Sequence, residues 1–211
     1  MKEREINEKE SIAIITAMIA NTRQRLHMGD GNIFLMWGWL TVAVSVLVGV
    51  LLYFTHNQAV NWLWFLIWII GGIITPRMAK KRETSTGVKT YTDKLTSSIW
   101  TLVGLAAIGC TLVCLGFMLF AGKDIWSMMF IFALLIVGLV EAVQGMILKE
   151  RSLVAGGQIG FIAGIVLMGF ILAGVPLLMY WVLPLFIAAW VCMMIIPGYA
   201  LNAKACKEKK R

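Results

Sequence analysis

IWSMMFIFALLIVGLVEAVQGMIL, residues Ile125 to Leu148, is the stretch on which the fold turns. As a helix it is long enough to cross about 30 Å of hydrocarbon. It shows no apolar–polar alternation, so it does not suit a strand of a transmembrane barrel. Its single formal charge is Glu141. A carboxylate inside a span is costly and marks a candidate functional site by default.

Working outward, the same character recurs five times. The chain is 60% hydrophobic and 14% charged over 211 residues, whereas soluble domains sit near 45–50% and about 25%. The apolar runs predict spans at Ile33–Phe54, Ala59–Thr75, Ser98–Phe120, Ile125–Leu148, Leu153–Gly174 and Leu177–Ile196. The fold class is therefore an all-α polytopic membrane protein with six transmembrane helices. Pro76 is expected to stop the second span, Pro184 to kink the sixth and Pro197-Gly198 to end it. The organisation that follows is a surface segment at 1–32, a membrane domain at 33–197 and a basic tail at 198–211.

Charge sets the expected orientation. The region before the first span holds five Lys/Arg, the second connection six, the fourth connection two and the C-terminal tail five; only Lys123 lies on the other side. The positive-inside rule then places both termini in the cytoplasm. Because the basic residues flank apolar runs, the net charge of +8 points to anionic lipid headgroups rather than nucleic acid. The nearest contacts would be Arg77, Lys80, Lys81 and Arg82 in the second connection, where Thr84–Gly87 reads as a turn.

Before the first span, residues 7–28 read as an amphipathic helix. Ile12, Ile15, Met18, Ile19 and Leu26 fall on one arc, and Arg23 and Arg25 flank it, placed to reach headgroups or a cytosolic protein partner. Asp30-Gly31-Asn32 forms the turn that follows.

Chemistry-bearing residues are few. No HExxH, GxSxG or nucleotide-binding motif occurs, and the two histidines, His27 and His56, fall on opposite sides of the membrane. Cys110 and Cys114 are one helical turn apart without a histidine nearby, which suits packing better than a metal. These observations predict no enzyme, no cofactor and no metal. The connections are too short to hold a core of their own.

That leaves Glu141 on a face with Gly138 and Gly145, with Gln144 one turn on as a hydrogen-bond partner and Lys149 at the end of the span. Gln158 lies near the same level in the next span, which also carries Gly156, Gly160 and Gly164, a GxxxGxxxG ridge for close helix approach. Trp62, Trp126 and Trp181 open the second, fourth and sixth spans, as interfacial anchors or as traces of an internal repeat.

Glu10-Ser11, Thr22-Arg23, Arg25-Leu26, Trp37-Gly38 and Trp62-Leu63-Trp64 together resemble a group of bacterial multi-pass inner-membrane proteins with no established activity. The resemblance implies that location and carries over no catalytic residue. Two functions fit the residues. The first is a non-catalytic protein that senses, signals or scaffolds through its cytoplasmic surfaces. The second is a small transporter or channel subunit using Glu141 as a proton- or cation-coupling carboxylate. Six spans in 211 residues leave little room for a large cavity, so the second reading calls for a homo-oligomer.

Overall fold

The computed structural model describes residues 12, 30–86, 91–177 and 179–209. The amphipathic segment read at 7–28, with Arg23 and Arg25, lies outside them except for Ile12. Every regular element among the described residues is helical, and six helices are long and apolar enough to cross a membrane. This is an all-α, multi-pass membrane protein.

Helix α1 spans Asp30–Thr55. A 3₁₀ stretch, Gln58–Trp64, opens the second span and passes into Phe65–Thr86; together these form α2. Helix α3 is Tyr91–Ala121. Helix α4 runs Ser127–Leu148 and contains a π turn at Phe132–Ile136. Helix α5 is Arg151–Leu172. Helix α6 begins with Met179–Trp190, widens into a π turn at Val191–Ile195 and continues as Ile196–Lys209.

Several boundaries differ from the sequence expectation: α1 already begins at Asp30, so Asp30-Gly31-Asn32 is helical rather than a turn, α3 begins at Tyr91 rather than Ser98, and two further differences involve proline. Helix α2 does not stop before Pro76 but passes through it to Thr86. Thr84–Thr86, expected in a turn, are therefore helical. A proline removes one ladder bond and crowds the preceding turn. Here the Arg77 guanidinium donates to the Ile73 carbonyl (3.3 Å) across that loosened turn. Likewise, Pro197-Gly198 does not end α6. Five residues in the preceding turn instead of four give the pyrrolidine ring room, and the Ile196 N–H reaches back to the Val191 carbonyl. The stretch expected as a tail is thus helical to Lys209, and it packs on the start of α1. There Asn202 Nδ2 donates to Asn32 Oδ1 at 2.7 Å, and the Gly198 carbonyl lies beside Gly31.

Helices α4 and α5 form a tight hairpin. The connection is only Lys149-Glu150, with Lys149 in the left-handed region (φ 56°) and the Glu150 N–H donating to the Gly145 carbonyl at 2.8 Å. So short a turn demands that the two helices lie nearly in contact, which glycine permits. A Cβ on Gly138 would sit 2.6 Å from the Phe161 nitrogen, one on Gly145 2.6 Å from the Val154 nitrogen, and one on Gly164 2.6 Å from the Leu135 nitrogen. On α5, Gly156 and Gly160 instead meet α6, at the Cys192 carbonyl, Pro197 and Met193. The ridge read as Gly156, Gly160 and Gly164 therefore serves two neighbours. Gly157, Gly138 and Gly145 complete the seam with α4. Both π turns bear on this ridge, through Leu135 and Met193.

Packing is uneven. The buried core draws on Leu134, Val137, Leu153, Leu167, Phe186, Trp190, Met193 and Leu201, which come from α4, α5 and α6. Helices α2 and α3 contribute little: 6% of the α2 membrane window and 17% of the α3 window are buried, against 44% for α4 and 56% for α6.

Candidate functional site

Two features stand out: a cleft beside α2 and α3, and a buried carboxyl behind its wall. The cleft exists because α2 and α3 stand away from each other. Its volume is about 2650 Å³. Its lining runs from Thr75, Lys94 and Ser97 at the Lys/Arg-rich end to His56, Asn61 and Asp124 at the opposite end, so it extends the full depth of the spans. The walls are aromatic. Seven of the nine tryptophans line it: Trp37, Trp62, Trp64, Trp68, Trp100, Trp126 and Trp190. Edge-on ring contacts lock part of that wall, with Trp64 against Phe130 (5.4 Å between centroids) and Phe130 against Phe186 (5.0 Å). The α3 side is smoother, formed by Ser97, Thr101, Gly104, Ile108 and Thr111 at helical spacing. Gly72 on α2 and Gly104 on α3 both line the cleft, and a Cβ on either would meet nothing within 4 Å.

This cavity overturns the expectation that six spans in 211 residues leave little internal room. Helices α2 and α3 are apolar on nearly every face. With no hydrophobic drive between helices in lipid, apolar surface alone does not pull them together. Short polar ties hold the cleft's edges instead. Trp37 Nε1 donates to Thr75 Oγ1 at 3.0 Å, joining α1 to α2 just ahead of Pro76. Trp100 Nε1 donates to Gln144 Oε1 at 2.6 Å, joining α3 to α4.

Glu141 lies in the seam, not in the cleft. It is 0% exposed, and among the described residues neither carboxyl oxygen has a hydrogen-bond partner. At 100° per residue it projects within about 60° of Gly138 and Gly145, toward α5 and the core. Gln144, expected to bond it, lies about 60° further round, on the cleft wall, and accepts from Trp100 instead. The Gln144 carbonyl faces the indole N–H on that wall, whereas the Glu141 carboxyl projects to the seam face. Lys149 is exposed at the helix end and forms no ion pair with Glu141. Gln158 is also exposed, lining a groove of about 280 Å³ with Gly145, Met146, Lys149, Glu150, Arg151, Val154 and Ala155.

At the Lys/Arg-rich end, Arg77, Lys80 and Lys81 are exposed on the helical extension of α2. Arg82 belongs to the same helix, and its side chain lies outside the described residues. An ion pair that the sequence did not single out is Glu150 with Lys204, which ties the α4–α5 turn to the last turns of α6. Glu150 is 8% exposed. The signal was available only as an acid in a two-residue turn. The four cysteines are free thiols, and Cys114 is fully buried.

No family model, curated protein or solved structure matches the chain. The fold defines a six-span helical membrane protein with a lateral aromatic cleft.

Proposed function

We propose that the protein is a non-catalytic membrane scaffold that receives the single transmembrane helix of a partner protein in its cleft and signals through its basic end. The cleft carries this reading. Drug-sized ligands occupy pockets of about 300–1,000 Å³, well below 2650 Å³. A helix 10–12 Å wide and about 30 Å long fills roughly 2,400–3,400 Å³. The full-depth lining suits a spanning partner better than an amphiphile confined to one leaflet. Open glycines at 72 and 104 and hydroxyls at 97 and 101 are the residue types on which helices associate in lipid.

The wall that would meet the partner also supplies the output. Helix α2 is continuous from the cleft through Pro76 to Arg77, Lys80 and Lys81, so a tilt of its membrane half moves the basic extension. In this reading the protein sits in a bacterial inner membrane with both termini in the cytoplasm. Arg77 and Lys81 then rest among anionic headgroups, and the basic surface is open to a cytosolic partner.

The test is site-directed photo-cross-linking in the native membrane, with a photoreactive residue at Ile108 on the cleft wall or at Leu139 on the outer face of α4. A discrete adduct with another polypeptide at 108 and lipid adducts alone at 139 are the expected outcome. Lipid alone at both positions, or a second copy of this chain as the sole adduct at 108, would overturn the proposal.

A further inference from the structure

Behind the cleft wall, Glu141 has a second observation beside it: the groove of about 280 Å³ at the Lys/Arg-rich end of the same seam. Gly145, on the face of Glu141 and one turn on, forms part of that groove. A liquid-water molecule occupies about 30 Å³, so the groove holds several, among polar groups of Lys149, Glu150, Arg151 and Gln158. From Glu141 it is roughly 6 Å along the axis to the level of Gly145 at 1.5 Å per residue.

We propose that Glu141 is an exchangeable proton-binding site, reached from the Lys/Arg-rich side through this groove by local opening of the α4–α5 seam. The assignment stands apart from the cleft reading and does not depend on it. A carboxylate sealed from water without a partner is strongly disfavoured, while the neutral acid avoids most of that cost. Among the described residues no counter-ion offsets the charge from the packed elements. Residues 95–121 of α3, 152–172 of α5 and 179–203 of α6 contain no Asp, Glu, Lys, Arg or His. At the end of the seam, Lys149 and Arg151 are exposed and Lys204 is held by Glu150. A metal cation is a poorer occupant, because hard cations take six or more oxygens, and among the described residues no three His, Cys, Asp or Glu side chains gather.

The seam can also open locally. At Gly138 and Gly157 its closest contacts are glycine against backbone, while at Gly145 the Leu153 and Val154 side chains also press on the glycine. Proton release leaves an ion that only water can stabilise, so ionisation and opening of the seam occur together.

Infrared spectroscopy of the purified protein in lipid tests this. The expected result at neutral pH is a carbonyl stretch of a protonated carboxylic acid that Glu141→Gln removes and that shifts after transfer to D₂O. Filling the groove with Ala155→Trp should slow that shift without removing the band. A membrane-permeant carbodiimide, which adds only to a protonated carboxyl, should label the peptide spanning residues 125–148 in the native protein, and less as pH rises. Two results would overturn the assignment: no acid band attributable to Glu141, or a band that never shifts in D₂O, which would make it a permanently sealed structural group.

Discussion

Gly157→Ala is the sharpest test of the seam that holds Glu141. A Cβ at 157 would press on the Ala142 nitrogen, lie 2.5 Å from the Gly138 carbonyl oxygen and 2.9 Å from the Ala142 Cα. All three are main-chain atoms, so no side chain can rotate away and α4 must move. Overpacking of this kind costs about 1–3 kcal/mol, and rigid neighbours put it at the upper end. Alanine recovers up to about 1 kcal/mol as the better helix former. The net loss is about 2 kcal/mol, a factor of roughly 30 in the folding equilibrium. For a chain of this length that is about 4–8 °C in Tm. The control is Gly104→Ala, with the same chemistry on α3 and nothing within 4 Å of the added methyl, for which Tm should hold or rise slightly. Thermal unfolding of both variants in one detergent is the assay. Equal shifts for the two would refute the close approach of α4 and α5.

Two further outcomes are expected. Trp100→Phe and Gln144→Leu each remove one end of the tie between α3 and α4, and a double-mutant cycle should return a coupling of about 0.6–1.7 kcal/mol; zero coupling would mean that the bond does not hold the cleft's edge. Cys206 is exposed near the end of α6, while Cys114 is buried. An impermeant maleimide should therefore label Cys206 in opened cells and leave it unlabelled in intact ones; labelling in intact cells would reverse the proposed orientation.

Much of the framework was legible in the residues. Six apolar runs of membrane length and the close-packing glycines of α5 follow from hydropathy and spacing alone. What the sequence concealed has two physical causes. In sequence Pro76 and Pro197 look like stops because a proline breaks an isolated helix. In the folded chain, a π turn ahead of Pro197 and an Arg77 bond near Pro76 absorb the damage. The cleft was illegible for a different reason. A residue facing lipid and one facing an apolar cleft have the same composition, so Ile108 and Leu112 look no different from Leu119. The tryptophans misled in the same way. An interfacial position explains Trp62 or Trp126, but Trp64, Trp68, Trp100 and Trp190 are wall residues of the cleft, as only the arrangement of the helices around it reveals. Spacing alone puts Gln144 one turn from Glu141 as its partner, yet a 60° turn of the helix gives its bond to Trp100 instead.

The uneven packing gives the molecule a division of labour that neither half could supply alone. Helices α4 and α5 approach closely through glycine, and α5 meets α6 at the Cys192 carbonyl, Pro197 and Met193. Helix α3 is tied to this frame by the Trp100–Gln144 bond, while α2 is tied to α1 by Trp37 to Thr75 and to the frame by the rings of Trp64 and Phe65 against Phe130, Phe186 and Trp126. A hydrogen bond of this kind in a membrane contributes about a kilocalorie per mole, so modest binding energy in the cleft suffices to reposition α3. Gln144 is the point where the two halves meet. Its side chain holds α3, and its helix carries Glu141 one turn earlier on the seam face. A partner that displaced Trp100 would free Gln144 at the level where the seam opens toward water, coupling cleft occupancy to the state of the buried carboxyl through a single helix turn. Proton exchange at Glu141 measured in wild type and in Trp100→Phe tests that coupling: faster exchange in the variant supports it, and identical rates separate the two sites.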